Sequence, residues 1–258
     1  MDAMDLETDK DRLFITALAR GLEVLAAFRP GELALSNQEL AKRTGLPKST
    51  VSRLSYTLTR LGYLAQDEAS GHYRLGLAVL ALGSTVLASY DIRQIAGPLM
   101  REFALEQGMS ISLALRDGSD MVYLETCRSP ARISVQLTVG SRVPLATTAI
   151  GRAYYAGLPE TEQLKLQPVL AARYGAEWGE ISTRLEEARQ DYLHQGYSAS
   201  FGEYEPDVMA VGVHLAVPGQ PAMALNASGP AFALHESAMR ERIAPALKAL
   251  RQRLAPLG

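Results

Sequence analysis

Val51, Leu54, Leu58 and Leu61 fall three, four and three residues apart, which is one stripe of a helix. Pro47 can open that helix because a first turn needs no backbone donor. Gly62 can close it in a left-handed conformation. Upstream, Ser36 and Glu39 have the S-x-x-E spacing of a capping box, and Leu35 and Leu40 can form its hydrophobic staple. The pattern predicts a helix from about Asn37 to Thr44, ended by Gly45. Leu18, Leu22, Leu25 and Phe28 supply the apolar stripe of a third helix that covers the other two. Downstream, Tyr63 to Gln66 and His72 to Leu75 are short strand-like runs around the polar loop Asp67 to Gly71. Three helices followed by a hairpin make a winged helix-turn-helix, whose second motif helix enters the DNA major groove.

The remainder mixes periods. "LAVLALGSTVLASY" (Leu77 to Tyr90) is apolar nearly all round its wheel, so such a helix is buried on several sides. It is either a core helix of one large domain or a connecting helix buried by a second subunit. Its place between the hairpin and the next amphipathic helix favours the second. Ile95, Leu99 and Phe103 mark that next helix, from about Asp91 to Gln107, with Gly108 as its stop. "SISLALR" alternates, with Ile111, Leu113 and Leu115 on one side and Ser110, Ser112 and Arg116 on the other, the pattern of a half-buried strand. Asp117-Gly118 is a hairpin turn signal, "DMVYLETC" returns, and "RISVQLTV" makes a third strand. "MAVGVHLAV", Pro218-Gly219 and "AMALNASG" read as another strand pair. Thr183 and Glu186 offer a capping box for a helix up to about Gln195, stopped by Gly196. Ile243, Leu247, Leu250 and Leu254 form the stripe of a final helix, which Pro245 ends or kinks. Several strands with helices packed on them indicate an α+β domain.

Charge sharpens the first domain. The helix beginning near Pro47 has no acid between Leu46 and Leu64, and its outer face carries Lys48, Ser49, Ser52, Arg53 and Tyr56. Hydroxyls and cations without carboxylates suit phosphates and base edges; an ordinary solvated face is the alternative. Arg20 to Gly76 hold eight Lys/Arg against five Asp/Glu, a net +3, within a chain of 258 residues and net charge −2. A non-specific DNA coater would be far more basic. Arg74 is the only permanent cation of the hairpin, and Asp67 and Glu68 near its tip would repel phosphate, so the helix outweighs the wing. Residues 1–12 carry five acids and two bases and are expected to be a disordered acidic arm.

These residues carry a resemblance to the IclR family of bacterial transcriptional regulators. It rests on "ARGLEVLAAF" (Ala19 to Phe28), "NQELAKRTGLPKSTVSRLSYTLTRLGYL" (Asn37 to Leu64) and "VGSRVPLATTAIGRAYYAGLP" (Val139 to Pro159). "GYSASFGEYEPDVMAVGV" (Gly196 to Val213) and "ALNASGP" (Ala224 to Pro230) follow in the same order, so the likeness is close to full length. It implies an α+β chain: an N-terminal winged helix-turn-helix at 13–76, a linker helix at 77–91, and a GAF-like α/β effector-binding domain with an antiparallel sheet at 92–258. It also implies double-stranded operator DNA as partner, a homodimer or tetramer, action as repressor or activator, and a small organic-acid or aromatic effector.

Candidate site residues follow in two groups. For DNA they are Lys48, Ser49, Thr50, Ser52, Arg53 and Tyr56, with Thr50 pointing partly inward. For the effector, Thr147 or Thr148 can cap the run "AIGRAYYAG", leaving free amides that attract an anion. The family motif adds pocket positions at Thr148, Ala149, Ile150, Ser200, Asn226 and Ser228. Ser200 stands where relatives are often acidic, Asn226 and Ser228 where both are often serine, and Ala210 where some carry cysteine. A relative's effector therefore does not transfer.

An enzyme with an appended winged helix is the competing class, and no catalytic residues are assigned. Cys127 is the single cysteine and lies in a strand pattern, which suits a buried apolar role in a reducing cytoplasm. The four histidines show no metal-ligand spacing, and no hydrolase, Walker or dinucleotide motif is present. The expectation is no metal, no cofactor, no signal peptide and no membrane span.

Overall fold

The computed structural model describes residues 13–29, 31–129 and 137–255. The expected arm at 1–12 lies outside them, as do residues 132–136 of the expected third strand. The chain forms two compact units, one ending at Ser89 and the other beginning at Tyr90.

The first unit contains α1 (Thr16–Ala26), α2 (Asn37–Thr44), α3 (Lys48–Arg60), β1 (Leu64–Gln66), β2 (Tyr73–Leu75) and α4 (Leu77–Ala88). The capping box forms: Ser36 Oγ accepts from the Glu39 amide, and the Glu39 carboxylate accepts from the Ser36 amide at 2.8 Å. Gly45 ends α2 in a left-handed conformation, and Pro47 caps α3. β1 and β2 pair antiparallel, completing the winged helix-turn-helix. Val24, Leu35, Leu40, Val51, Leu64 and Tyr73 make the core. Two stripes differ from expectation. Leu18 and Leu22 of α1 face outward, and Gly21 and Val24 are buried instead. Leu61 is also exposed, and Ser55 takes the inner place beside Val51. No residue of α4 is buried; Leu80 is 65% and Leu82 56% exposed.

The second unit contains α5 (Ile92–Gln107), β3 (Ser110–Asp117), β4 (Asp120–Cys127), β5 (Arg142–Pro144), α6 (Ala149–Gly157), α7 (Glu160–Tyr174), α8 (Trp178–Gln195), β6 (Ser198–Phe201), β7 (Val208–Leu215), β8 (Met223–Pro230), α9 (Glu236–Ala238) and α10 (Ala244–Leu254). Its sheet is antiparallel in the order β5-β4-β3-β8-β7-β6. Helices α5 and α10 pack on one face and α6 on the other, backed by α8. The inward face of α5 is Ile92, Ala96, Met100 and Phe103, so the expected stripe is rotated and Ile95 is exposed.

β3 is covered on both faces from Ser110 through Ala114, not half-buried. The reason is register. Ser110 pairs with Ser228, Ser112 with Asn226, and Ala210 with both Ser228 and Ser200. Strand alternation therefore puts a row of small polar side chains on the face that α6 covers. The expected capping box at Thr183 does not form: α8 already starts at Trp178, Thr183 donates to the Gly179 carbonyl, and Glu186 binds Arg189. Pro245 sits at the start of α10, directly after a π turn at Met239–Ile243 that absorbs its missing donor. Cys127 is buried at the end of β4, and burial pushes its thiol pKa up.

Candidate functional site

In the first unit, Lys48, Ser49, Ser52, Arg53 and Tyr56 are exposed along one side of α3, and Thr50 is half-buried. A cleft of about 510 Å³ runs between this side and α1, lined by Thr50, Ser52, Arg53, Tyr56 and also Arg20. Arg20 was not among the expected residues; its α1 position becomes relevant only once α1 packs beside α3. Ser52 has a second task. Its hydroxyl donates to the Lys48 carbonyl at 3.0 Å and accepts from Asn37 Nδ2 at 2.8 Å. It thereby ties the start of α2 to α3 and fixes the angle at which α3 is presented. Lys48 Nζ donates to Gln38 Oε1 at 3.3 Å.

The other cations of the unit are not equally free. Arg43 NH1 donates to the Ala27 carbonyl at 2.8 Å and its NH2 to Glu32 Oε1 at 2.7 Å. The hydrogen-bonded Arg43 holds the Glu32 carboxyl down at about 2, with the Arg29 amide adding to the shift. Arg43 thus braces the start of the motif rather than meeting phosphate. At the wing tip, Asp67 accepts from the Ser70 hydroxyl and amide, which lowers its pKa and keeps an anion at the tip.

In the second unit, a cavity of about 330 Å³ lies under the N-terminus of α6. It is lined by Thr148, Ala149, Ile150, Ser200, Asn226 and Ser228, which brings all six expected positions together, with Ala210 among them. The helix start is built by close approach. A Cβ on Gly151 would lie 2.1 Å from the Leu145 carbonyl oxygen, and one on Gly212 2.5 Å from the Ala149 carbonyl oxygen. Only glycines let β7 and the preceding loop touch the first turn of α6. Ser198 Oγ donates to the Ala149 carbonyl, holding that turn on β6.

Thr148 is the cap. Its hydroxyl donates to the Pro144 carbonyl at 2.7 Å and accepts from the Gly151 amide at 3.3 Å. Ala149 and Ile150, the first helical residues, have no intrahelical acceptor for their amides. Asn226 is 4% exposed and hydrogen-bonds the Tyr123 phenol, and its Oδ1 has no partner. Burial pushes the Tyr123 pKa up, so the phenol stays protonated.

The remaining walls were not expected from the sequence. Leu137, Val143 and Val208 make them apolar, and Tyr204, Glu205 and Asp207 stand at the rim on the loop between β6 and β7. Arg152 of α6, itself buried, anchors that loop: it pairs with Glu203 at 2.8 Å and donates to the Ala199 carbonyl at 3.2 Å. The loop has no periodicity to betray it, and its side chains become wall only when β6 pairs with β7. A mixed polar and apolar chamber of this size can hold one small organic molecule. Among the described residues there is no metal-binding cluster, and no helix is long and apolar enough to cross a membrane.

A winged helix-turn-helix joined to a sensor-like α/β domain defines a ligand-responsive DNA-binding protein. Residues 17–68 match the IclR helix-turn-helix domain and residues 84–255 match the bacterial transcriptional regulator IclR C-terminal domain. The chain belongs to the IclR family of transcriptional regulators, with a DNA-binding helix-turn-helix domain and a C-terminal effector-binding domain. It is 36% identical over 241 residues to the HTH-type transcriptional regulator TsaQ1/TsaQ2 of Comamonas testosteroni, covering 92% of this chain and 86% of that one. An IclR-family regulator from Brucella abortus is 40% identical, with a TM-score of 0.78 over 95% of this chain and 93% of that one. An IclR homologue from Microbacterium hydrocarbonoxydans, solved in complex with 4-hydroxybenzoate, shares the fold at 22% identity, with a TM-score of 0.71 over 93% and 97% of the two chains.

Proposed function

We propose that α3 reads operator DNA through Lys48, Ser49, Thr50, Ser52, Arg53 and Tyr56, and that the cavity under α6 holds a small organic-acid or aromatic effector. Working boundaries are 13–76 for DNA binding, 77–91 for the link and 92–258 for effector binding. The convergence of Thr148, Ala149, Ile150, Ser200, Asn226 and Ser228 on one chamber carries the effector half of this reading. The 4-hydroxybenzoate complex of a homologue supports an aromatic or acidic ligand. Such a regulator works in the cytoplasm, where its DNA is.

The working form is a homodimer or a tetramer. One reading helix with three exposed cations, Lys48, Arg53 and Arg60, gives little affinity, whereas two helices one DNA turn apart share one operator. The open apolar surface of α4 supports this, since burying each leucine contributes about 1.5–3 kcal/mol. Leu80→Asp is expected to release monomers in sedimentation velocity at about 10 μM, well above the Kd of a stable dimer. A wild type that sediments as a folded monomer at that concentration contradicts the assembly. A thermal-shift screen of small carboxylates and phenolic acids tests the cavity, because a ligand at 100 times its Kd stabilises by about 2.7 kcal/mol.

A further inference from the structure

Taking the cavity under α6 as the effector site, we infer that the pair of Arg152 and Glu203 is a latch on its mouth. Neither residue lines the cavity, yet together they hold the loop that does. Backbone hydrogen bonds fasten both ends of the loop between β6 and β7. The Gly202 amide donates to the Val208 carbonyl at 3.0 Å, and the Ala231 amide donates to the Asp207 carbonyl at 2.8 Å. The Arg240 guanidinium lies 4.9 Å from the centre of the Phe201 ring and pins the end of β6. Gly202 follows with a φ of +76°, a turn out of the strand that glycine makes freely. Glu203, Tyr204, Glu205 and Pro206 therefore span two fixed points, and Tyr204 and Glu205 line the mouth. Among the described residues, Glu203 with Arg152 is the one ion pair that ties this span to the rest of the domain.

The pair is asymmetric in a way that lets it open. The Glu203 side chain is 45% exposed, whereas that of Arg152 is 6% exposed. Glu203 can swing into water and be solvated there. Arg152 stays behind without being orphaned: its Nε donates to the Ala146 carbonyl at 3.3 Å and its NH1 to the Ala199 carbonyl at 3.2 Å. A pair buried on both sides would resist such a break, because each charge would lose its partner in a dry interior. With the latch open, the span turns about Gly202 and the mouth widens. With it shut, Tyr204 and Glu205 narrow the way in and out. Arg152 and Glu203 are thus positioning residues. They set how fast a small molecule exchanges with the cavity, through the loop and without touching that molecule.

A thiol placed inside the cavity tests this in the full-length chain. Ala210 lines the cavity on β7, and Cys127 is the single native cysteine. In Ala210→Cys with Cys127→Ala, alkylation by iodoacetamide, followed by mass spectrometry, reads how often the mouth admits a small neutral molecule. Rates at several pH values are referred to the thiolate fraction, so that a shifted thiol pKa does not count as opening. Adding Glu203→Ala should speed alkylation by about tenfold or more, because a charge-assisted hydrogen bond that holds the shut state is lost. Glu203→Gln keeps an acceptor oxygen and should fall between the two. Glu187→Ala removes an acid of α8 near the pair that makes no bond to Arg152, and should leave the rate unchanged. In Glu203→Ala without the added cysteine, hydrogen exchange should rise over residues 203–205 and stay unchanged in α6 and β7. An alkylation rate that Glu203→Ala leaves unchanged overturns the latch. So does an acceleration that Glu187→Ala reproduces, or faster exchange spread over α6 and β7, which would make the pair a general support. These rates report access to the cavity whatever it holds, so the two readings fail separately. An effector that still binds Ala149→Asp moves the effector site elsewhere and leaves the rates to stand, whereas an unchanged rate removes the latch and leaves the effector site in place.

Discussion

Gly212→Ala is expected to cost the effector-binding domain about 3 kcal/mol, at the upper end of overpacking effects. The added Cβ would lie 2.5 Å from the Ala149 carbonyl oxygen and 3.2 Å from Ala153 Cβ. Neither can retreat, because Ala149 is also held by Ser198 and the cap of α6 is locked between Pro144 and Gly151. The helix must lift off β7, and its first turn is the roof of the cavity. For a domain of this size the melting temperature should fall by about 6–12 °C. Ligand-induced stabilisation should shrink with it, while the helix-turn-helix unit keeps its fold. Differential scanning calorimetry with and without ligand checks both. A variant that melts normally and still responds fully to ligand would mean that the close seat of α6 on β7 is not what shapes the cavity.

Arg53→Ala is expected to weaken operator binding by about 1–3 kcal/mol, roughly 5- to 150-fold. Arg53 is exposed on the acid-free side of α3 and borders the cleft that Arg20 closes. Two outcomes distinguish how it acts. If it reads a base edge, discrimination between operator and unrelated DNA collapses. If it binds phosphate, affinity falls equally on every sequence and the salt dependence becomes shallower. Anisotropy titrations at several salt concentrations separate the two. Unchanged operator affinity in both Arg53→Ala and Lys48→Ala would remove α3's outer face from the interface.

The reading unit was legible in the sequence because its signals are local. The Ser36–Glu39 box, Gly45 and Pro47 act within a few residues of one another, and no distant contact competes with them. The same box read at Thr183 and Glu186 failed, because nothing in four residues reveals that a helix has already begun at Trp178. Leu18, Leu22 and Ile95 show a second limit. Helical spacing locates an apolar face, but a small residue such as Gly21 or Ala96 can turn inward and rotate the contact. β5 and α7 were missed for lack of signal: one has three residues, and the other carries Pro168 within a weak stripe.

In the effector domain, the helix start at Thr148 and the polar strand positions were legible from the motif, though not their burial. Ser110 and Ser112 read as a solvent face because alternation gives two sides of a strand without saying what covers each. The rim residues Tyr204, Glu205 and Asp207 belong to an irregular loop whose place depends on β6–β7 pairing and on Arg152 gripping Glu203. That long-range closure leaves no periodic trace. It is also what turns a site expected to favour anions into one with an acidic mouth.

Binding an effector changes DNA affinity only if the ligand prefers one arrangement of the protein over the other. The direct test is operator affinity of the intact protein, titrated with a ligand that stabilises it in a thermal scan. Wild-type affinity should change by about 5- to 150-fold on saturation. Ala149→Asp, with a carboxylate at the start of α6, should lose the ligand response and keep operator binding at one of the two wild-type levels. Saturation of the wild type with ligand that leaves both operator affinity and the DNase footprint unchanged would contradict ligand-controlled DNA binding in this protein.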